Sequence, residues 1–149
     1  ELEKLHVENT VFYITDKDNK VNNFLAQNID ETAPGSKIIK LTAPEGLIPV
    51  DFTNWANIKA PTGYYDQNTN ILSLTDNVEI FYSEGMTLQT QEAAFDFNQS
   101  KEYGTTRVHA DGYFGSLVAD GFEFSGKDDI LIFTGHNDIT IKEESLKGR

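Results

Sequence analysis

Twenty-four acidic side chains and three histidines are the residues that could do chemistry here, and their spacing decides which chemistry. Asp66 with Asp96 or Glu123 could supply a glycosidase pair, one acid protonating the leaving oxygen and the other attacking or activating water. The tracts "AAFDFNQ" and "GFEFS", however, alternate Phe with acid. Asp96 and Glu123, and Glu79 in "NVEIFYS", therefore fall on the face opposite the aromatics, the ordinary place for a solvated strand residue. With this many acids, facing pairs arise by number alone. "DKDNK" (residues 16–20) opens like a calcium loop, but the sixth position, which needs Gly, is Val21, so a hairpin turn accounts for it. His6, His109 and His136 lie far apart, so a zinc site would have to assemble from separate strands. Surface and turn positions are expected of them instead. No serine stands in a nucleophile elbow, and no glycine-rich phosphate loop opens a helix. No catalytic residue, metal or cofactor is expected.

Composition narrows the classes further. Twelve basic residues leave a net charge of −12, which repels nucleic-acid phosphates at ordinary salt. No Lys/Arg cluster offers a patch for anionic lipid. Cysteine is absent, so disulfides and thiolate chemistry are excluded, while the redox compartment stays open. No apolar run approaches the ~18–20 residues of a membrane span. A chain of 149 residues without a linker-like segment is expected to be one domain, residues 1–149, able to bury its own core.

Positioning must come from strands. Apolar residues alternate with polar ones in "HVENTVFYI", "NVEIFYS", "AAFDF", "GFEFS" and "NDITIKE". Turn signals recur every eight to twelve residues: at 16–19, Pro34-Gly35, Glu45-Gly46, 67–70, Glu84-Gly85, Asp111-Gly112, Asp120-Gly121 and 126–129. One short helical turn is expected near residues 51–57, with Trp55 plugging the core between loops. All four prolines lie before Thr62, so the long, centrally paired strands are expected in the second half. "GYYDQNTNILSLTDNVEIF" and "GFEFSGKDDILIFTGHNDITI" repeat one rhythm of aromatic pair, polar turn, apolar burst, second polar turn and closing alternation. "KIIKLTAPEGLI" (residues 37–48) reads as a third, worn copy. Such hairpins cannot bury a face alone and must cover one another.

Two architectures fit: a closed sandwich, or a V-shaped roll with apolar residues along an elongated interior. On a sandwich the stripe of Val78, Ile80, Leu88, Phe95, Phe97, Phe122, Phe124 and Phe133 is simply core.

From residue 20 to 141 the chain resembles the LptC family of lipopolysaccharide-export proteins. The resemblance rests on Ala60, Gly63, Tyr65 and Asp66, then Leu74, Asn77 and Val78, Gly85 and Thr90, and Ala119-Asp120-Gly121. Ala26 and Leu41 lie upstream in the expected places. It implies an all-β fold, a twisted open β-jellyroll of V-shaped, stacked antiparallel hairpins, and a non-enzymatic function. Lipopolysaccharide would pass from an inner-membrane ABC transporter to a periplasmic bridge protein, its acyl chains held in an apolar interior groove. That groove is expected at Leu74, Val78, Ile80, Met86, Leu88, Phe95, Phe97, Phe122, Phe124, Leu131 and Phe133. The family also implies a periplasmic location and an inner-membrane anchor helix ahead of the domain, expected to lie outside this chain.

Edge strands are the expected partner surfaces. The last alternation, with Asn137, Ile139, Thr140 and Ile141, has no following element to cover it, and Lys142, Glu143 and Glu144 blunt only its end. The resemblance gives this edge to the bridge protein, and the first strand, with Val7, Val11 and Tyr13, to the transporter. A carbohydrate-binding or adhesive β-sandwich is the competing class. It would display Trp and Tyr outside, whereas the aromatics here are mainly Phe at interior spacing.

Overall fold

The computed structural model describes residues 4–50, 53–126 and 130–141. Among these the period-2 tracts form fourteen strands and no helix: β1 (His6–Thr15), β2 (Val21–Glu31), β3 (Ile38–Thr42), β4 (Glu45–Pro49), β5 (Trp55–Lys59), β6 (Thr62–Asp66), β7 (Ile71–Thr75), β8 (Val78–Tyr82), β9 (Thr87–Thr90), β10 (Ala93–Asp96), β11 (Lys101–Gly104), β12 (Val108–Gly112), β13 (Gly115–Ser125) and β14 (Ile130–Ile141). All pair antiparallel in one sheet, a twisted β-jellyroll.

Two long strands divide this sheet into facing layers. Residues 23–25 of β2 pair with β4, while residues 28–31 pair with β3. Residues 115–119 of β13 pair with β12, and residues 122–125 with β11. Between these forks run the layers β3-β6-β7-β10-β11 and β4-β5-β8-β9-β12. β1 covers the outer edge of β2, and β14 covers the outer edge of β13.

The connections explain the V. The chain changes layer at 43–44, 60–61, 76–77, 91–92 and 105–107, and the pairing registers put all five crossings on one side. Such short links hold the layers close there. They are also laced together, Ala43 N–H to Pro61 O at 2.8 Å, Ala60 N–H to Pro44 O at 3.2 Å and Asn77 N–H to Gln91 O at 3.3 Å. The hydroxyls of Thr90 and Thr106 add a bond at 2.7 Å. On the opposite side each layer turns back on itself through hairpins, and among the described residues no chain crossing joins it to the other. The fold is closed along one side and open along the other.

At the closed side the two long strands change the face they bury. β2 buries Asn22, Phe24 and Ala26, then Ile29; β13 buries Ala119, then Phe122 and Phe124. In β13 the change is a register shift between Ala119 and Gly121, which moves the inward set by one residue. Gly121 is required there, because a Cβ would lie 2.5 Å from the Gly104 carbonyl oxygen.

Several expectations are corrected. Glu45-Gly46 and Asp111-Gly112 lie within β4 and β12, and Asp120-Gly121 is a bulge in β13, not a turn. β3 and β4 do not pair, so residues 37–48 form no third hairpin; each strand joins a different layer. The rhyme of the other two copies also breaks. "NVEIF" is a separate strand in the facing layer, whereas "NDITI" continues β14. Gly135 with φ 74, and Asp120 Oδ2 accepting from His136 N–H at 2.8 Å, carry that strand through what reads as a turn. The helical turn near residues 51–57 is replaced by β5 from Trp55 on, with Asp51 and Phe52 outside the described residues. Long strands are not confined to the second half, since β2 matches β13 at 11 residues. Of the 126–129 turn, Gly126 stands at a turn and the rest lies outside the described residues.

Candidate functional site

Alternation aims one side chain in two at the opposite layer, and register lines these up into rows. One row deep in the fold runs Gly46, Ile58, Ile80, Leu88, Ala110 and Leu117 through successive strands. Nearer the open side, one layer contributes Leu72, Phe95, Glu102, Phe124 and Leu131 in register. The facing layer contributes Ile48, Ala56 and Tyr82, followed by Met86.

Between these outer rows lie two cavities. The larger, about 360 Å³, is floored by Ile48, Phe95, Phe97 and Phe124, with Glu102 in its wall. Lys17, Lys20 and Lys101 stand around it with Asp16, Asp18 and Asp96, so its surroundings carry no excess of positive charge. The smaller, about 190 Å³, is lined by Trp55, Tyr82, Met86 and Leu131 among others. Val50 and Phe124 line both, so the cavities adjoin there, and together they make up the cleft along the open side.

The eleven residues expected to line a groove separate by depth. Met86, Phe95, Phe97, Phe124 and Leu131 line the cleft. Val78, Ile80, Leu88 and Phe122 are fully buried in the deeper core, and Phe133 packs against it half-buried. Leu74 is buried and also borders a shallow hollow with Ala93 and Gly104. The carboxylates weighed for catalysis or for calcium have structural work. Asp16, Asp66 and Asp96 cap hairpin turns, each accepting from an amide two residues on at 2.8–3.0 Å. Glu79 and Glu123 pair with Lys59 at 3.4 Å and Lys101 at 2.9 Å.

Trp55 is not a core plug. It is 39 % exposed, leans on Phe81 and lines the smaller cavity. Tyr13, Tyr64 and Tyr113 are exposed too, but on separate strands and a turn rather than on one face.

Glu102, Tyr82, Ile48 and Val50 were missed. Glu102 is buried among apolar neighbours, and this raises its pKa to about 7, with the Tyr82 hydroxyl, 3.4 Å away, pulling it back. Burial, with Glu102 adding to it, holds the Tyr82 phenol well above its ordinary value. "SKEYGTT" offers no alternation from which to read that Glu102 points inward; only its register with Phe95 and Phe124 shows it.

Both outer strands have one edge unpaired among the described residues. On β14, Asn137, Ile139, Thr140 and Ile141 are exposed, and His136 faces Asp138 at 3.5 Å. Along β1, Val11 and Tyr13 are exposed while Val7 packs against the core. His6 at its start bonds Asp30 on β2 and Glu8, which raises its pKa, Asp30 foremost.

A two-layer antiparallel jellyroll, laced shut along one side and apolar within along the other, defines a class of open β-jellyroll with a reachable interior. The chain belongs to the LptC-related lipopolysaccharide-assembly family, whose model matches residues 3–140. That span includes β1, which the resemblance read from the sequence did not reach. A comparison with curated proteins returned no match. Membership places the chain in lipopolysaccharide transport in the periplasm, alongside the Lpt transport machinery, in a family of transport and binding proteins.

Proposed function

We propose that the chain shelters lipopolysaccharide acyl chains in the cleft between its layers and hands the lipid from the inner-membrane transporter to a periplasmic bridge protein. The observation that carries this is the cleft itself, floored by Phe95, Phe97 and Phe124 and joined at Val50 and Phe124 to the second cavity. Each methylene buried there contributes about 0.8 kcal/mol. A net charge of −12 and a balanced mouth give phosphorylated head groups no general attraction, so burial of the tails is the driving term and the head stays in water.

The free edges support a direction of transfer. β14 has unpaired backbone groups along Ile139–Ile141, to which a strand of the bridge protein adds. β1, at the other end of the sheet, meets the transporter in the same way, and a helix ahead of the domain anchors it to the inner membrane. Such docking joins successive clefts into one apolar track.

Lipopolysaccharide uptake by the purified protein tests the reading. Phe97→Glu and Phe124→Glu, each with a native circular dichroism spectrum, are expected to lose uptake. Undiminished uptake by both folded variants refutes the cleft as the binding site.

A further inference from the structure

Apolar burial has no use for Glu102, yet its position is specific. It stands in the inward row with Phe95 on one side and Phe124 on the other. It is 7 % exposed, and one oxygen accepts from the Tyr82 hydroxyl, which comes from the facing layer. Every fully enclosed side-chain nitrogen or oxygen among the described residues has a hydrogen-bond partner. The second carboxyl oxygen has none, so it is not fully enclosed; it opens on the larger cavity, whose wall Glu102 forms. Tyr82 lines the smaller cavity, and its ring packs on Phe124 with centroids 5.9 Å apart. The Glu102–Tyr82 bond therefore crosses the cleft where the two cavities meet.

We infer that Glu102 and Tyr82 form a proton-operated clasp across the cleft: with Glu102 neutral an acyl chain lies along both cavities, and with Glu102 ionised it is excluded. A carboxylate facing the cavity must keep water there, and an acyl chain that strips this water leaves a buried charge unsolvated. A neutral carboxyl carries no such cost, and its weaker hold on Tyr82 lets the layers part. Among the described residues, the charged groups around the cavity do not replace that water. Asp16 and Asp96 are occupied by turn amides, Lys101 by Glu123, and Lys17, Lys20 and Asp18 make no hydrogen bond to Glu102. Burial places the Glu102 midpoint at about 7, within reach of modest pH changes.

The inference rests on the acyl-chain reading above, and the test separates the two. The probe is a neutral monoacylglycerol with a fluorescent tail, which does not itself titrate. Apparent affinity falls with the neutral fraction of the site. Relative to pH 5.5, wild-type Kd is then expected to rise about twofold at pH 7 and about tenfold at pH 8, for a midpoint at about 7. Glu102→Gln is expected to bind at every pH as the wild type does in acid. Tyr82→Phe removes the bond that lowers the midpoint, so its curve keeps the slope and moves to higher pH. A flat wild-type curve, a sloping Glu102→Gln curve or an unmoved Tyr82→Phe midpoint overturns the clasp while leaving the cleft standing. No uptake by wild type at any pH overturns the acyl-chain reading and the clasp with it.

Discussion

A buried carboxyl that ionises only near neutrality weakens the fold it sits in, and this can be measured without any lipid. Glu102 is raised from 4.5 to about 7 by burial. Its folded-state pKa lies above the unfolded one, so the folded state holds the proton longer. The stability it contributes is fully present below pH 4.5 and is lost as pH rises through 7. At about 1.36 kcal/mol per pH unit, that loss is about 3 kcal/mol. Glu102→Gln keeps the shape and an oxygen for Tyr82 but has no proton to lose. Thermal melts of the two proteins from pH 4.5 to 8 are expected to diverge as pH rises, Gln becoming the more stable. For a domain of this size the relative Tm shift is about 10 °C by pH 8. The other titrating groups are common to both proteins and cancel in the difference. Melting curves that stay parallel across this range would show that Glu102 is solvated, and would refute the burial argument.

Further outcomes follow from the same geometry. Gly121→Ala drives a Cβ to 2.5 Å from the Gly104 carbonyl, within the backbone that joins β13 to β11, and is expected to cost about 2 kcal/mol or more in chemical denaturation. Neighbouring residues on a strand send their N–H groups to opposite edges, so Ile139→Pro and Thr140→Pro divide the roles. One is expected to disturb β13–β14 pairing; the other is expected to fold normally and fail to bind the bridge protein in a pull-down, and normal binding by that folded variant would exclude the edge. His6 has a raised pKa, so its hold on Asp30 is full below pH 6.5 and lost as pH rises past its folded value. Hydrogen-exchange protection at the start of β1, corrected for intrinsic rates, is expected to fall over that rise and to stay level in His6→Ala.

Legibility from sequence followed the side chains that alternate cleanly. In "NVEIFYS" Val78 and Ile80 read as inward with Glu79 outward, and the structure has that pattern. Phe95, Phe97, Phe122 and Phe124 likewise declared their face, and all four are buried. What alternation cannot say is how deep an inward residue lies, because depth depends on which row it joins. Thus Ile80 and Leu88 belong to the deeper core while Met86 and Leu131 reach the cleft. Turn chemistry misled where a long strand bends: Asp120-Gly121 and Gly135 carry turn residues because the bulge at the closed side needs them. Glu102 was invisible for a third reason. Its charge argues for solvent, and only long-range register puts it between Phe95 and Phe124.

The central claim, that acyl chains lie between the layers and not on the outside, is tested most directly by a photo-crosslinking map with lipopolysaccharide. Crosslinkers at Met86, Phe97 and Leu131 probe the cleft; those at Tyr64, Glu79 and Phe81 probe the outer faces of the two layers. Lipid adducts at the first three positions and none at the second three are the expected result. Equal labelling of both sets, or labelling of the outer set alone, would contradict it.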